Sequence, residues 1–179
     1  MRTGGVLWIM KGMIVQKAYD FLYHNLSVIN GKEEYHILMD MFKTYGKYHY
    51  DGKVVLDIGA DFGLSPAFFL HQGASKVIAY SPERQKNWLR DSRIEWHRKC
   101  WNGQSHQADI LKIDCEGCEY SRPLDWYTKN FHSSLFAIHD FPQYHNLFEK
   151  YREALLNLGA IQIFSVGNEI MFAWGLKNE

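Results

Sequence analysis

Three carboxylates, Asp114, Glu116 and Glu119, stand within six residues of one another, directly after the apolar run Ile110-Leu111-Lys112-Ile113 and around a glycine, Gly117. Like charges this close raise the pKa of at least one member, which suits a general base, or they are relieved by a bound cation. The residue types do not choose between these, so a metal is left open, as is the plainer reading of a solvated turn that caps the next helix. A second pattern lies earlier, in Val54-Val55-Leu56-Asp57-Ile58-Gly59-Ala60-Asp61-Phe62-Gly63-Leu64-Ser65-Pro66. Here an apolar, β-branched run ends in an acid, turns through two glycines, and arrives at Ser-Pro, a helix-start signal. Such a strand, loop and helix unit offers backbone N–H groups and a helix dipole to a carboxylate or phosphate, and Asp57 could accept from an ammonium group or from the loop itself. The spacing of Gly59 and Gly63 lacks the third glycine of a dinucleotide fingerprint.

The elements needed to position these groups can be read along the chain. Val6 to Ile29 reads equally as a small hairpin or as a helix and strand. Tyr35, Leu38, Met39 and Phe42 recur at helical spacing over 32–45, and Gly46 follows as a stop. After the glycine loop, Ser65 is expected to N-cap a helix that Gly73 ends. Lys76 to Tyr80 is a second strand, and Ser81-Pro82-Glu83 repeats the Ser-Pro entry into a polar helix reaching about Asp91. Further strands are expected over Ile94 to Trp101, Ile110 to Ile113 and Leu135 to Ile138, the last running into His139. A helix over Asn146 to Leu158 precedes two strands, Ala160 to Val166 and Glu169 to Trp174, joined by the hairpin signal Gly167-Asn168. Alternating strands and helices require a parallel sheet, which here carries an antiparallel hairpin at its end. In open sheets of this kind ligands bind at the carboxyl ends of the strands, where the glycine loop and the Asp114 cluster would face one crevice.

Composition narrows the function classes. With 179 residues the chain fits one domain with a sizeable core, divided into an N-terminal extension and helix over 1–50 and a cofactor-binding and catalytic core over 51–179. Twenty basic and twenty acidic residues cancel, so no global field recruits nucleic acid or a membrane surface. No apolar run approaches the roughly 18 residues of a membrane span. The three cysteines, Cys100, Cys115 and Cys118, show no disulfide-framework spacing and suit a reducing, cytoplasmic setting. Cys115 and Cys118 form a Cys-x-x-Cys without a second pair at zinc spacing; His97, Cys100 and His106 are the residues that could join it. Two small residues packed beside a strand are the simpler account of the pair.

Taken in order, the motifs Val54 to Gly63 and Leu111 to Glu119 (Leu-Lys-Ile-Asp-Cys-Glu-Gly-Cys-Glu) resemble those of the FkbM-type methyltransferase family. That family joins an Asp-Ile-Gly-Ala first motif to a Lys-Ile-Asp-x-Glu-Gly-x-Glu motif on the fourth strand. The resemblance covers 54–139, extends to the C-terminal hairpin by architecture only, and leaves 1–50 largely uncovered. It implies an α/β class I methyltransferase (Rossmann-like) sheet with helices on both faces and S-adenosylmethionine as methyl donor. It also implies O-methylation of a hydroxyl on a sugar or other small metabolite. Carried over, Asp57, Gly59, Ala60, Asp61 and Gly63 would contact the donor's methionine end, and Asp114, Glu116 and His139 would lie at the transfer site. Where the family has Glu-Pro after the second strand, with the glutamate on the donor ribose, this chain has Ser81-Pro82. Serine makes one hydrogen bond but not a charge-assisted pair, and Glu83 substitutes only if the backbone bends. The loop from Asn102 to Asp109 is also short for adenine and acceptor recognition. A methyltransferase acting on a small-molecule or glycan acceptor is therefore the leading expectation, with no membrane partner and homo-oligomerisation open. A catalytically degenerate binding module is the rival, and RNA methylation is weaker for want of positive charge.

Overall fold

The computed structural model describes residues 32–61, 63–82 and 90–177. The reading of 6–29, and the helix predicted after Pro82 with its Glu83, lie outside the described residues. In chain order the elements are α1 (Lys32–Thr44), β1 (Val54–Ile58), α2 (Leu64–His71), β2 (Lys76–Tyr80), β3 (Ile94–His97), β4 (Ile110–Ile113), α3 (Leu124–Asn130), β5 (Ser134–His139), α4 (His145–Asn157), β6 (Ile161–Val166) and β7 (Glu169–Trp174). Short 3-10 turns at Cys118–Ser121 and Pro142–Tyr144 precede α3 and α4.

The strands form a seven-stranded sheet in the order β3-β2-β1-β4-β5-β7-β6. β1 pairs parallel with β2 and with β4, and β4 pairs parallel with β5. β7 runs antiparallel to both β5 and β6, inserted between them. The order reverses between β1 and β4, and at this switch point two connections leave in opposite directions and open a crevice above the strand ends.

Both faces of the sheet are covered, which is why β1, β4 and β5 read as continuous apolar runs rather than alternating ones. On one face Val55, Val77 and Leu135 pack with Leu38 and Phe42 of α1 and Phe68 and Phe69 of α2. On the other, Leu56, Leu111 and Phe136 pack with Tyr127 of α3 and Tyr151 and Leu155 of α4. Every residue of α2 from Leu64 to Leu70 is buried. That explains a helix with no amphipathic pattern: it is enclosed by the sheet, α1 and the aromatic segment that follows α1. Tyr45 and Tyr50 lie against Phe68 and Phe69, so that segment packs into the core.

Three local expectations change. Gly63, at φ 113°, is the residue before α2, and Ser65 sits inside the first turn with its hydroxyl turned to Asp57 instead of capping the helix. β3 stops at His97, four residues short of the predicted Trp101, because the chain after it turns back to bury Trp101 under α3, beside Trp126 and Tyr127. Cys115 and Cys118 are joined in a disulfide, against the reading of a reduced pair. Glu116 at φ 53° and Gly117 at φ 118° curl the chain tightly enough to bring the two Cα atoms within 5.5 Å. Cys100 is free and exposed.

Candidate active site

The glycine loop leaves β1 at Ile58 and is held down by its own backbone, with Gly59 and Ala60 N–H both donating to the Tyr80 carbonyl at 3.0 and 2.9 Å. Gly59 is required by contact as well as by its φ of 84°: a Cβ there would lie 1.7 Å from the Asp114 carbonyl oxygen. The two loops at the switch point therefore touch through a position that only glycine can fill. Gly59, Ala60, Asp61, Leu64, Ser65 and Ser81 line one side of a crevice of about 540 Å³, a volume in the range of small-molecule sites. No side chain caps the N-terminus of α2 beside them and its first turn carries no acid.

Asp57, predicted at the ligand, is instead fully buried beneath the loop. It accepts from the Ser65 hydroxyl at 2.6 Å and faces Lys112 Nζ at 3.2 Å. Lys112, which sequence reasoning passed over, is also buried; it donates to the Gly59 carbonyl at 2.8 Å and lies 3.8 Å from Asp114. One ammonium thus ties β1, the glycine loop and the start of the acidic loop together. Burial pushes the Asp57 carboxyl up, and Lys112 and Ser65 draw it only part of the way back. For Lys112, desolvation is outweighed by Asp57 and Asp114, which hold the ammonium above its ordinary range. Asp57 and Lys112 are positioning residues for the loops above them.

The carboxylates divide into different roles. Asp114 and Glu116 line the crevice. Glu119 is fully buried below it and accepts from Gly117 N–H at 2.7 Å, from His139 N–H at 3.1 Å and from His139 Nδ1 at 2.8 Å. A carboxylate can only accept, so Nδ1 carries the hydrogen and the His139 ring is fixed with Nε2 toward the crevice. There Nε2 lies 3.6 Å from Asp114. Burial alone would lower the His139 pKa, but the hydrogen bond and charge of Glu119, then Asp114 and Glu169, reverse this and raise it.

Glu169 was not singled out from sequence. It opens β7 directly opposite His139, a cross-strand pair that puts both side chains on the same face. Its carboxyl is pushed up to about 7, by burial first and by Asp114 second. Tyr45 also lines the crevice, its hydroxyl pKa raised well above the usual range by burial, then Asp114 and Glu169.

Residues 102–109 do not line the crevice. They fold back on Tyr80, whose hydroxyl meets Gln104 and, at 2.8 Å, His106. His97, Cys100 and His106 do not gather at metal-ligand distances; among the described residues the one trio close enough to share an ion is Asp114, His139 and Glu169. No helix among the described residues is long and apolar enough to cross a membrane.

This sheet order, with β7 antiparallel and the crevice at the β1/β4 switch point, is the class I methyltransferase fold. The solved structures it resembles include a candidate S-adenosylmethionine-dependent methyltransferase from Listeria monocytogenes. The TM-score is 0.54 and the identity 14%, over 82% of this chain and 98% of that one. A ribosomal protein L11 methylase from Lactobacillus delbrueckii subsp. bulgaricus matches with TM-score 0.54 and 12% identity, over 84% of this chain and 81% of that one. A candidate hemolysin from Lactococcus lactis matches with TM-score 0.51 and 16% identity, over 73% and 80%. At such identities the likeness concerns the fold alone.

By sequence, the chain is 35% identical over 108 residues to "Uncharacterized protein 65" of Sulfolobus islandicus filamentous virus (isolate Iceland/Hveragerdi), covering 55% of this chain and 66% of that protein. It is 29% identical over 110 residues to "Uncharacterized protein 158B" of Sulfolobus islandicus rod-shaped virus 1, covering 56% and 69%. The match thus spans just under two thirds of the first relative's length. No family model matches the sequence.

Proposed function

We propose that this protein is an S-adenosylmethionine-dependent methyltransferase acting on a hydroxyl of a sugar or other small metabolite, in the manner of the FkbM-type enzymes its motifs resemble. The observation that carries this reading is the meeting, across one crevice, of the glycine loop at Gly59 with Asp114 and His139. The residues fit the donor: the α2 N-terminus and loop backbone suit its carboxylate, and the acidic wall formed by Asp114, Glu116 and Glu169 suits its ammonium and sulfonium. When bound, the donor supplies a methyl group already activated by its sulfonium. The protein's remaining work is to hold an acceptor oxygen in line and to remove its proton. In this reading Asp114 and His139 Nε2, 3.6 Å apart at the crevice, would take that proton, with Glu119 orienting the imidazole. Lys112 and Asp57 hold both loops in register, so the two halves of the reaction share one rigid frame.

Isothermal titration of the folded protein with S-adenosylmethionine and S-adenosylhomocysteine tests this directly. One-to-one binding of both is expected, and no heat from either would end the reading. A second reading, a binding module that keeps the fold without turnover, is favoured by one observation: a buried serine, Ser81, stands where the resembled family carries a ribose-binding glutamate. Donor binding with no transfer to any member of a hydroxyl-acceptor panel would favour it. A measured transfer abolished by Asp114→Ala would exclude it.

A further inference from the structure

Three potential ligand atoms from three strand ends, on Asp114, His139 and Glu169, all lie within 4.8 Å of one another at the crevice. His139 is only 5% exposed, and its Nδ1 is committed to Glu119, leaving Nε2 without a hydrogen bond among the described residues. The oxygens of Asp114 and Glu169 that face it accept no hydrogen bond from a described residue either; the nearest cation, Lys112, is 3.8 Å from Asp114 and is engaged with Asp57 and Gly59. A buried imidazole, its Nε2 without a hydrogen bond, is thus aimed at two half-buried carboxylates that face the crevice. The arrangement around it is that of a metal ligand's surroundings: a ligating histidine generally passes its other ring N–H to a carboxylate, which fixes tautomer and orientation, and Glu119 occupies that place. Two donors on one cation at bond lengths of about 2.1 Å lie roughly 3 to 4 Å apart, and Asp114 is already 3.6 Å from Nε2.

We propose that Asp114, His139 and Glu169 form a divalent-cation site of the Mn2+ class, with its free coordination positions turned to the crevice to take an acceptor oxygen. One imidazole with two carboxylates is a mixed, mainly hard donor set that suits Mn2+ better than thiolate-seeking ions. Three protein ligands leave positions open, as in catalytic rather than structural sites. Metal binding follows from these residues alone; the role toward the acceptor rests on the methyltransferase reading. In that role His139 is a ligand instead of the proton acceptor, and a coordinated hydroxyl, made more acidic by the cation, gives its proton to water in the crevice.

The test uses the full chain stripped with chelator, titrated with MnCl2 while free Mn2+ is followed by its electron paramagnetic resonance signal. One Mn2+ per chain is expected. Glu169→Gln and Asp114→Asn should each weaken binding at least tenfold, with Asp125→Asn, an exposed carboxylate on α3, unchanged. Thermal melts of each variant identify any that fail to fold. No binding up to millimolar Mn2+, or binding that neither folded site variant weakens, overturns the proposal. A parallel titration with S-adenosylhomocysteine separates the two conclusions. Mn2+ bound without the nucleoside keeps the metal site and removes the methyltransferase reading; the nucleoside bound without Mn2+ does the reverse.

Discussion

Replacing Lys112 with methionine probes the frame that joins the two loops. The substitution keeps the side chain's length and apolar stem but removes the ammonium that faces Asp57 at 3.2 Å and binds the Gly59 carbonyl at 2.8 Å. Asp57 is then left fully buried with one hydroxyl donor, Ser65. Removing one partner of a buried ion pair costs about 3–5 kcal/mol, chiefly the penalty of the stranded charge. For a chain of this size that is roughly 6–20 °C in Tm, at about 2–4 °C per kcal/mol. Asp57→Asn keeps an acceptor for Ser65 and strands a lysine that still reaches Gly59 and Asp114, so it should cost less. The double variant carries neither charge and should be more stable than the sum of the single costs predicts, by about 2 kcal/mol. Urea denaturation of the four proteins at one pH measures this cycle. Single costs that add to within about 0.5 kcal/mol in the double variant would refute the claim that Lys112 and Asp57 act as one unit.

Other outcomes follow from the same geometry. Gly59→Ala should lose about 2–5 kcal/mol, combining roughly 1–2 for a left-handed alanine with 1–3 for overlap at the Asp114 carbonyl; a loss below 1 kcal/mol in a urea melt would show that the two loops are not in contact. Glu119→Gln should lower the His139 pKa, read from the imidazole proton shifts on NMR titration, because Glu119 supplies the largest upward influence on that ring; an unchanged midpoint would contradict it. The Glu169 carboxyl, with a folded pKa of about 7 against an ordinary 4.5, favours its protonated form on folding. Metal-free protein should therefore hold this contribution fully below about pH 4.5 and lose it as pH rises through 7. The loss is at most about 3 kcal/mol and closer to 1–2 after solvent screening. Glu169→Gln should flatten that part of the stability profile, leaving the His139 contribution, which is lost in the same direction above pH 6.5.

The sequence by itself determined the elements whose signals are local. The apolar runs at 54–58, 76–80 and 110–113 became strands with the boundaries their composition marks, and Gly167-Asn168 joined β6 to β7 as its hairpin signal requires. Gly59 was legible because a tight turn after a strand needs its conformational freedom, and Asp114 because it ends an apolar run in a cluster of like charges. Burial and pairing were not legible, since they depend on what the sheet brings from far along the chain. Asp57 reads as a ligand-binding acid until Lys112 and Ser65 close over it, and Ser65 reads as a cap until that acid claims its hydroxyl. Glu169 carries no motif; it reaches the crevice only because β7 inserts antiparallel beside β5 and sets Glu169 opposite His139. Local sequence specified the strand ends, and the register between distant strands decided which of their side chains share one site.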